Sequence, residues 1–444
     1  MLVTTRRPQT AILLFAVLCA AGMLYYHLCV FVPRAIEMRA AQGLDNGYSF
    51  GADFYPIWLT SREGLLHHRD PYDAEITRQI QIGLFGHPMD AHGYAGTPDP
   101  RAFANPAFAE LLFWPLALLS FSVVRNGLVA VLSAATVLSV VFWLRTFRLR
   151  AGPVMLASMI LFTLSSYVVL EGLFAEQLGL LVGFLLAASL AALVEDRLFL
   201  SGSLLALTLI KPQMTVVAVA YLLLWSFARW HIRRRFVGGF LIVSGLLGVS
   251  SLLVWPHWIP EWLHVGFRYR QYSTPPLVCY LLGNPMGSRL GPFVIAALLV
   301  TALALSWRMR YVSPTTTEFA LTISLVLAVT TITLLPGHAV YDQILLLPGV
   351  ILIGFSWRAF AAASPAVRVV LGVSGLALFW QWILAVVVIA MRPILPHQMF
   401  VSAVLTLPIR TAGSIPFGVL ALLGLMMRQV MNRPWVAAPT IDGP

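Results

Sequence analysis

Few side chains in this sequence are equipped for chemistry, and they come in short groups. Asp53 stands in Gly51-Ala-Asp-Phe-Tyr-Pro56. A carboxylate just after a long apolar run suits a general base acting on a hydroxyl; the same position also suits a helix N-cap for the segment that follows. Tyr55 beside it is a candidate substrate contact. Asp70-Pro-Tyr-Asp73 sets two carboxylates across a turn with Tyr72 between them. That motif reads as a turn plus helix cap, or as a site for sugar hydroxyls; two carboxylates alone make a weak cage for a hard cation.

Lys211-Pro-Gln213 holds the chain's one lysine, against 28 arginines. A charge in apolar surroundings costs on the order of 3 kcal/mol at a helix centre, so Lys211 either meets an anionic partner or snorkels to the headgroups. Glu171, Glu176 and Gln177 bracket one turn, and His338, Tyr341 and Asp342 another. Arg268-Tyr-Arg270 and Asn284-Pro285 supply cations and an amide for which phosphate is the obvious partner; the alternative is a headgroup-facing belt with Trp255, Trp258 and Trp262.

The elements that must position these groups are membrane helices. Of 444 residues, 59% are hydrophobic and 11% charged, far below the roughly 25% charge of soluble chains, and mean hydropathy is +0.83. At about 20 residues per span, the length accommodates about 12 helices. The net charge of +11 comes as arginine clusters at the ends of apolar runs, a positive-inside pattern that gives no support to a nucleic-acid partner. Cys19, Cys29 and Cys279 have no metal-ligand spacing, so neither a zinc site nor a disulfide framework is expected. Phosphate-loop, serine-elbow and zinc-protease motifs are absent.

Placing Arg6-Arg7, Arg145/Arg148/Arg150, Arg197, Arg229/Arg233/Arg234/Arg235, Arg308/Arg310, Arg358/Arg368 and Arg428/Arg433 in the cytoplasm predicts spans near 10–32, 125–146, 153–171, 177–194, 198–211, 213–229, 236–255, 291–308, 317–335, 342–357, 367–390 and 413–430. The segment 106–121 then dips into the membrane and returns, with a true crossing there as the main alternative. The external side receives a first loop, 33–105, a second loop, 256–290, and short turns at 171–177, 211–213, 336–342 and 391–412. The first loop carries nine of the eighteen acids, Asp45, Asp90 and Asp99 among them, and is expected to contain interfacial helices at Tyr55–His67 and Asp73–Leu84. The expectation is an all-α polytopic membrane protein with a single domain, 1–435, and a tail, 436–444.

The order of these features resembles the GT-C glycosyltransferases, specifically glycosyltransferase family 87, which includes polyprenyl-phosphate-mannose-dependent mannosyltransferases. The resemblance runs from about residue 10 to about 360 and rests on Asp53-Phe-Tyr, Asp70-Pro-Tyr-Asp73, Asn105-Pro106 with Trp114-Pro-Leu116, Glu176-Gln177, Ile210-Lys-Pro-Gln213 and His338-Ala-Val-Tyr-Asp342. Family members often carry Pro-Pro in place of Asn105-Pro106 and Gly-Gln in place of Glu176-Gln177.

The resemblance implies a GT-C-like bundle and an active site on the periplasmic or extracellular side of the plasma (inner) membrane. It also implies a polyprenyl-phosphate sugar as donor, a glycan or glycolipid hydroxyl as acceptor, and an early aspartate, here Asp53, as catalytic base. Lys211, Arg270 and His338 are then candidates for the donor phosphate. Tyr55, Tyr72, Asp73, Gln177, Gln213, Asn284, Tyr341 and Asp342 are candidates for substrate contacts. No cofactor or metal is expected, and a single displacement inverts the anomeric carbon. A lipid-linked sugar flippase and an oligosaccharide ligase or polymerase are the competing readings. The concentration of acids in loops and helix ends favours surface chemistry over transit through the midplane.

Overall fold

The computed structural model describes residues 6–41, 43, 50–89 and 101–432. Asp45, Asp90, Asp99, Arg433 and the tail 436–444 lie outside the described residues. Among the described residues every regular element is helical, apart from an isolated antiparallel bridge between Pro276 and Pro336. Seven helices are long and apolar enough to cross a membrane, or eight if one bent pair counts as a span, and five further apolar helices are shorter. The chain is therefore a multi-pass membrane protein.

Several boundaries differ from expectation, for reasons that lie in distant contacts. The first helix does not stop at 32: it runs through a six-residue π-helical stretch, Tyr26–Phe31, and on to Ala41. The span expected at 153–171 breaks into Pro153–Leu164 and Tyr167–Ala175, bent by 56°. The break is stable because Ser166 accepts from the Val169 amide and the Gln381 side chain accepts from the Tyr167 amide at 2.7 Å, so backbone donors released within the apolar region are satisfied.

The segment 391–412, expected as a turn, contains a helix, His397–Ala412, which runs on into Ile415–Asn432. Pro408 lies inside it. A proline removes the N–H that would bond the carbonyl four residues back, here Val404, and the Tyr26 hydroxyl donates to that carbonyl instead at 3.0 Å.

The expected second loop is largely helical as well, with Trp258–Tyr272 and Leu277–Leu282 followed by a span that begins at Met286. Within 33–105 the two expected helices form at Tyr55–His67 and Ala74–Phe85. Between that loop and the next long helix, Ala107–Ala117 has 11 residues, about 16 Å at 1.5 Å per residue, short of the ~30 Å hydrocarbon core.

Two devices hold the bundle together at its ends and middle. Leu198–Leu207 crosses Trp230–Val254 so closely that a Cβ on Gly202 would lie 2.0 Å from the Phe236 carbonyl oxygen, the small-residue contact typical of membrane helices. The buried Arg233 guanidinium stacks 3.5 Å over the Trp225 ring and donates to the carbonyls of Trp225, Arg310 and Val312. It ties three segments together at the arginine-rich end. The expected first loop lies far from Arg145: Phe121 packs on Tyr55 with ring centroids 5.0 Å apart, and Arg145 stands in the last turn of the same helix, about 36 Å away.

Candidate functional site

The breaks and turns of four separate segments meet at one end of the bundle. Residues 50–54 form a turn that docks on the end of Tyr167–Ala175, where the amides of Gly51 and Asp53 donate to the carbonyls of Phe174 and Ala175 at 2.9 and 3.2 Å. Glu176, in a left-handed conformation with φ of 56°, ends that helix and turns the chain so that Gln177 heads the next one. Lys211 sits between two short 3-10 turns, Thr208–Ile210 and Pro212–Met214, at the break expected there. A further 3-10 stretch, Val340–Leu346, carries Tyr341 and Asp342.

Together these segments build a continuous polar run. The Gln177 side-chain amide donates to one Asp53 carboxylate oxygen, and its carbonyl accepts from the Lys211 ammonium at 3.1 Å. Lys211 also donates to Asp342 at 2.6 Å and lies 5.0 Å above the Tyr341 ring. Arg101 donates to the other Asp53 oxygen at 2.9 Å. Side-chain exposure falls from 28% at Arg101 and 22% at Asp53 to 12% at Lys211 and 2% at Asp342. Two cations and two anions balance, and the Asp53–Arg101 end is the more exposed of the two. Gly179 makes room for the inner pair: a Cβ there would stand 2.4 Å from the Asp342 carboxylate.

Other candidates frame this run. The Asn105 amide donates to the Ile210 carbonyl at 3.1 Å, and the Tyr72 hydroxyl donates to the Asn105 carbonyl at 2.8 Å. The Asp70–Asp73 turn is thereby fastened through Asn105 to the Lys211 break. Burial, with the Asp70, Glu110 and Glu261 carboxylates nearby, pushes the Tyr72 phenol above its ordinary range, so it stays protonated as a donor. Asp70 accepts from the Tyr72 amide at 2.8 Å, and the exposed Asp73 caps Ala74–Phe85 by accepting from the Glu75 amide. These two carboxylates do the work of a turn and a cap. Tyr55 packs its ring on Phe121 and sets its hydroxyl against Gly83.

His338 meets Thr274 at 2.6 Å through Nδ1, and the His338 amide donates to the same hydroxyl at 3.2 Å. With the Pro276–Pro336 bridge, this contact holds the second loop against the turn that leads to Asp342. Arg270 is exposed in the last turn of Trp258–Tyr272, one residue from Tyr269, which stands within electrostatic range of Tyr341. Gln213 and Asn284 are exposed and, among the described residues, make no side-chain hydrogen bond to the Asp53–Asp342 run.

Two features are not marked by residue type and spacing: the contact of Arg101 with Asp53 and the burial of Glu176. Residue type and spacing do not single out Arg101, although in the expected first loop, 33–105, it runs against the positive-inside trend as much as Arg270 does in the expected second. Glu176 is fully buried with both carboxylate oxygens unbonded; burial pushes it up to about 8 against the pull of Arg125, so it is mostly protonated at neutral pH. Among the described residues no group of three or more His, Cys, Asp or Glu side chains is arranged to hold a metal ion.

A family model described as Glycosyltransferase family 87 matches residues 103–336, just over half of the chain. The matched stretch contains Asn105, Gln177, Lys211 and Arg270; Asp53, His338 and Asp342 lie outside it. No curated protein and no solved structure matches the chain.

Proposed function

The chain belongs to glycosyltransferase family 87, and from that premise we propose that it moves a sugar from a polyprenyl-phosphate donor to a hydroxyl of a glycan or glycolipid acceptor. Asp53 serves as general base. The observation that carries this reading is the gradient along the polar run: the carboxylate at its open end is held by Arg101 and Gln177, while the charges that fix Gln177 are buried behind it.

In the reaction the acceptor hydroxyl gives its proton to Asp53 as its oxygen bonds to the anomeric carbon, and the bond from that carbon to the phosphate oxygen breaks. Polyprenyl phosphate leaves with the bonding electron pair, and one displacement inverts the centre. Preorganised cations stabilise the charge that develops on the phosphate. Arg101 and the exposed Arg270 are the ones open to it. Lys211, already committed to Gln177 and Asp342, acts as a positioning residue. His338, bonded to Thr274, holds the second loop over the site. The proposed orientation sets this end of the bundle outside the plasma membrane, because the arginine-rich loops lie at the other end. Transfer is proposed to need no metal, which insensitivity of purified enzyme to a chelator would support and chelator inhibition would refute.

The test uses membranes carrying wild type or Asp53→Asn with radiolabelled polyprenyl-phosphate hexoses and pentoses. The expected outcome is transfer lowered about 10²- to 10⁴-fold with donor binding retained. A folded Asp53→Asn protein that transfers at the wild-type rate sinks the assignment.

A further inference from the structure

A cavity of about 1530 Å³ begins at Gln343, the residue after Asp342, and extends to the arginine-rich end of the bundle. It exceeds the ~300–1,000 Å³ of ordinary small-molecule pockets. Its walls come from the helices Pro153–Leu164, Leu347–Ala361, Pro365–Met391 and Ile415–Asn432 and are mostly apolar, with Met159, Phe162 and Leu378 among them.

Its two ends differ in character. At the far end the lining includes Arg145, Arg148, Arg150 and Arg358, all exposed. None of the four forms an ion pair with a carboxylate among the described residues; Glu318 follows Thr317 of the wall in sequence but does not line the cavity. At the near end Gln343 is 6% exposed; its amide donates to the Ala412 carbonyl, and its own carbonyl oxygen is buried without a partner.

An occupant that satisfies this lining needs a long hydrocarbon body and an anionic head, with the head at the end remote from Asp53. We propose that the cavity holds the acyl chains of an anionic glycerophospholipid drawn from the leaflet opposite the active site, its phosphate held by the four arginines. Clustered arginines at the cytoplasmic boundary are the usual partners of such headgroups. The sugar donor does not fit the same description, because its phosphate must lie beside Asp53, at the opposite end from these cations.

The experiment reads lipid retention in purified protein and leaves transfer out, so its result is independent of the function proposed above. Native mass spectrometry and thermal melting are compared after addition of phosphatidylglycerol, phosphatidylcholine of the same acyl chains, or a polyprenyl phosphate. Wild type is expected to retain phosphatidylglycerol at least fivefold over phosphatidylcholine and to melt higher with it. A triple variant, Arg148→Gln, Arg150→Gln, Arg358→Gln, should lose that preference.

Gly354→Phe and Gly375→Phe leave the arginines in place and put bulk where an acyl chain would lie, since both glycines line the cavity and a Cβ on either meets no atom within 4 Å. They should lose the retained lipid while still folding. Equal retention of the two phospholipids overturns the proposal. Unchanged retention in the two glycine variants overturns it too, because the lipid then rides on the outer surface. A preference for polyprenyl phosphate would assign the cavity to the donor instead.

Discussion

Lys211 and Asp342, 131 positions apart, form the innermost contact of the polar run, with nitrogen and oxygen 2.6 Å apart and the two side chains 12% and 2% exposed. Removing one member of such a pair leaves the other charge buried without compensation, which typically costs roughly 3–5 kcal/mol, whereas replacing both by apolar groups is often neutral. Lys211→Met should therefore unfold well before wild type in mixed micelles, and Lys211→Met with Asp342→Leu should recover most of the loss. Neither protein should transfer sugar normally, because Gln177 loses its anchor in both. Additive destabilisation in the double variant would show that the two side chains do not act as a pair.

Gln177 joins the two halves of the run, donating to Asp53 and accepting from Lys211. If its work is to aim the Asp53 carboxylate, Gln177→Ala should lower kcat on the order of 100-fold, the cost of a misplacement near 1 Å. The KM for donor should change much less. A variant that raises KM with kcat unchanged would instead make Gln177 a substrate contact.

The turns that carry this site are legible in the sequence because charges are scarce in the chain: Asp53, Glu176, Lys211 and Asp342 stand out against apolar runs. The lone lysine at a helix break and the Tyr55–His67 helix are both where the sequence places them. What it does not show is which side chain bridges to which. Nothing in the spacing of Gln177 marks it as the link between Asp53 and Lys211, and Arg101 reaches Asp53 across 48 positions. The helix through Pro408 is hidden for the same reason, since the group that replaces its missing amide is a hydroxyl 378 positions from Val404.

That last contact is testable by a double-variant cycle. Tyr26→Phe removes the donor to the Val404 carbonyl and should cost about 1–3 kcal/mol, the penalty for an unsatisfied buried group. Pro408→Ala restores a backbone N–H aimed at that carbonyl, so Tyr26→Phe in the Pro408→Ala background should cost little. Unfolding in mixed micelles gives the four values. Equal costs in both backgrounds would mean that the hydroxyl does not stand in for the amide.

Gly179 sets helix propensity against site geometry. Alanine in place of glycine favours a helix, by about 1 kcal/mol in a helix interior, and Gly179 lies in the first turn of the helix Leu178–Val194. Here the added Cβ would stand 2.4 Å from the Asp342 carboxylate, with the Lys211 nitrogen at 3.5 Å. The clash should win at the site, so Gly179→Ala is expected to lower transfer strongly while the protein still inserts and folds. Gly372, which meets nothing within 4 Å in the Pro365–Met391 helix, supplies the control: Gly372→Ala should leave transfer intact. Wild-type transfer by Gly179→Ala would show that the inner pair tolerates displacement.

Glu176 links the site to pH. Its carboxyl titrates near 8 in the folded protein and near 4.5 when free of burial. Between those values the unfolded chain has released a proton that the folded chain retains, so ionisation draws the equilibrium toward unfolding. The contribution of Glu176 to stability therefore falls as pH rises from about 4.5 to about 8 and levels off above that. Glu176→Gln keeps the shape and cannot ionise. Its melting temperature should fall less than that of wild type between pH 5 and pH 8, with the two proteins most alike at the acid end. Parallel melting curves across that interval would mean that Glu176 is already ionised in the fold, with its charge compensated by Arg125.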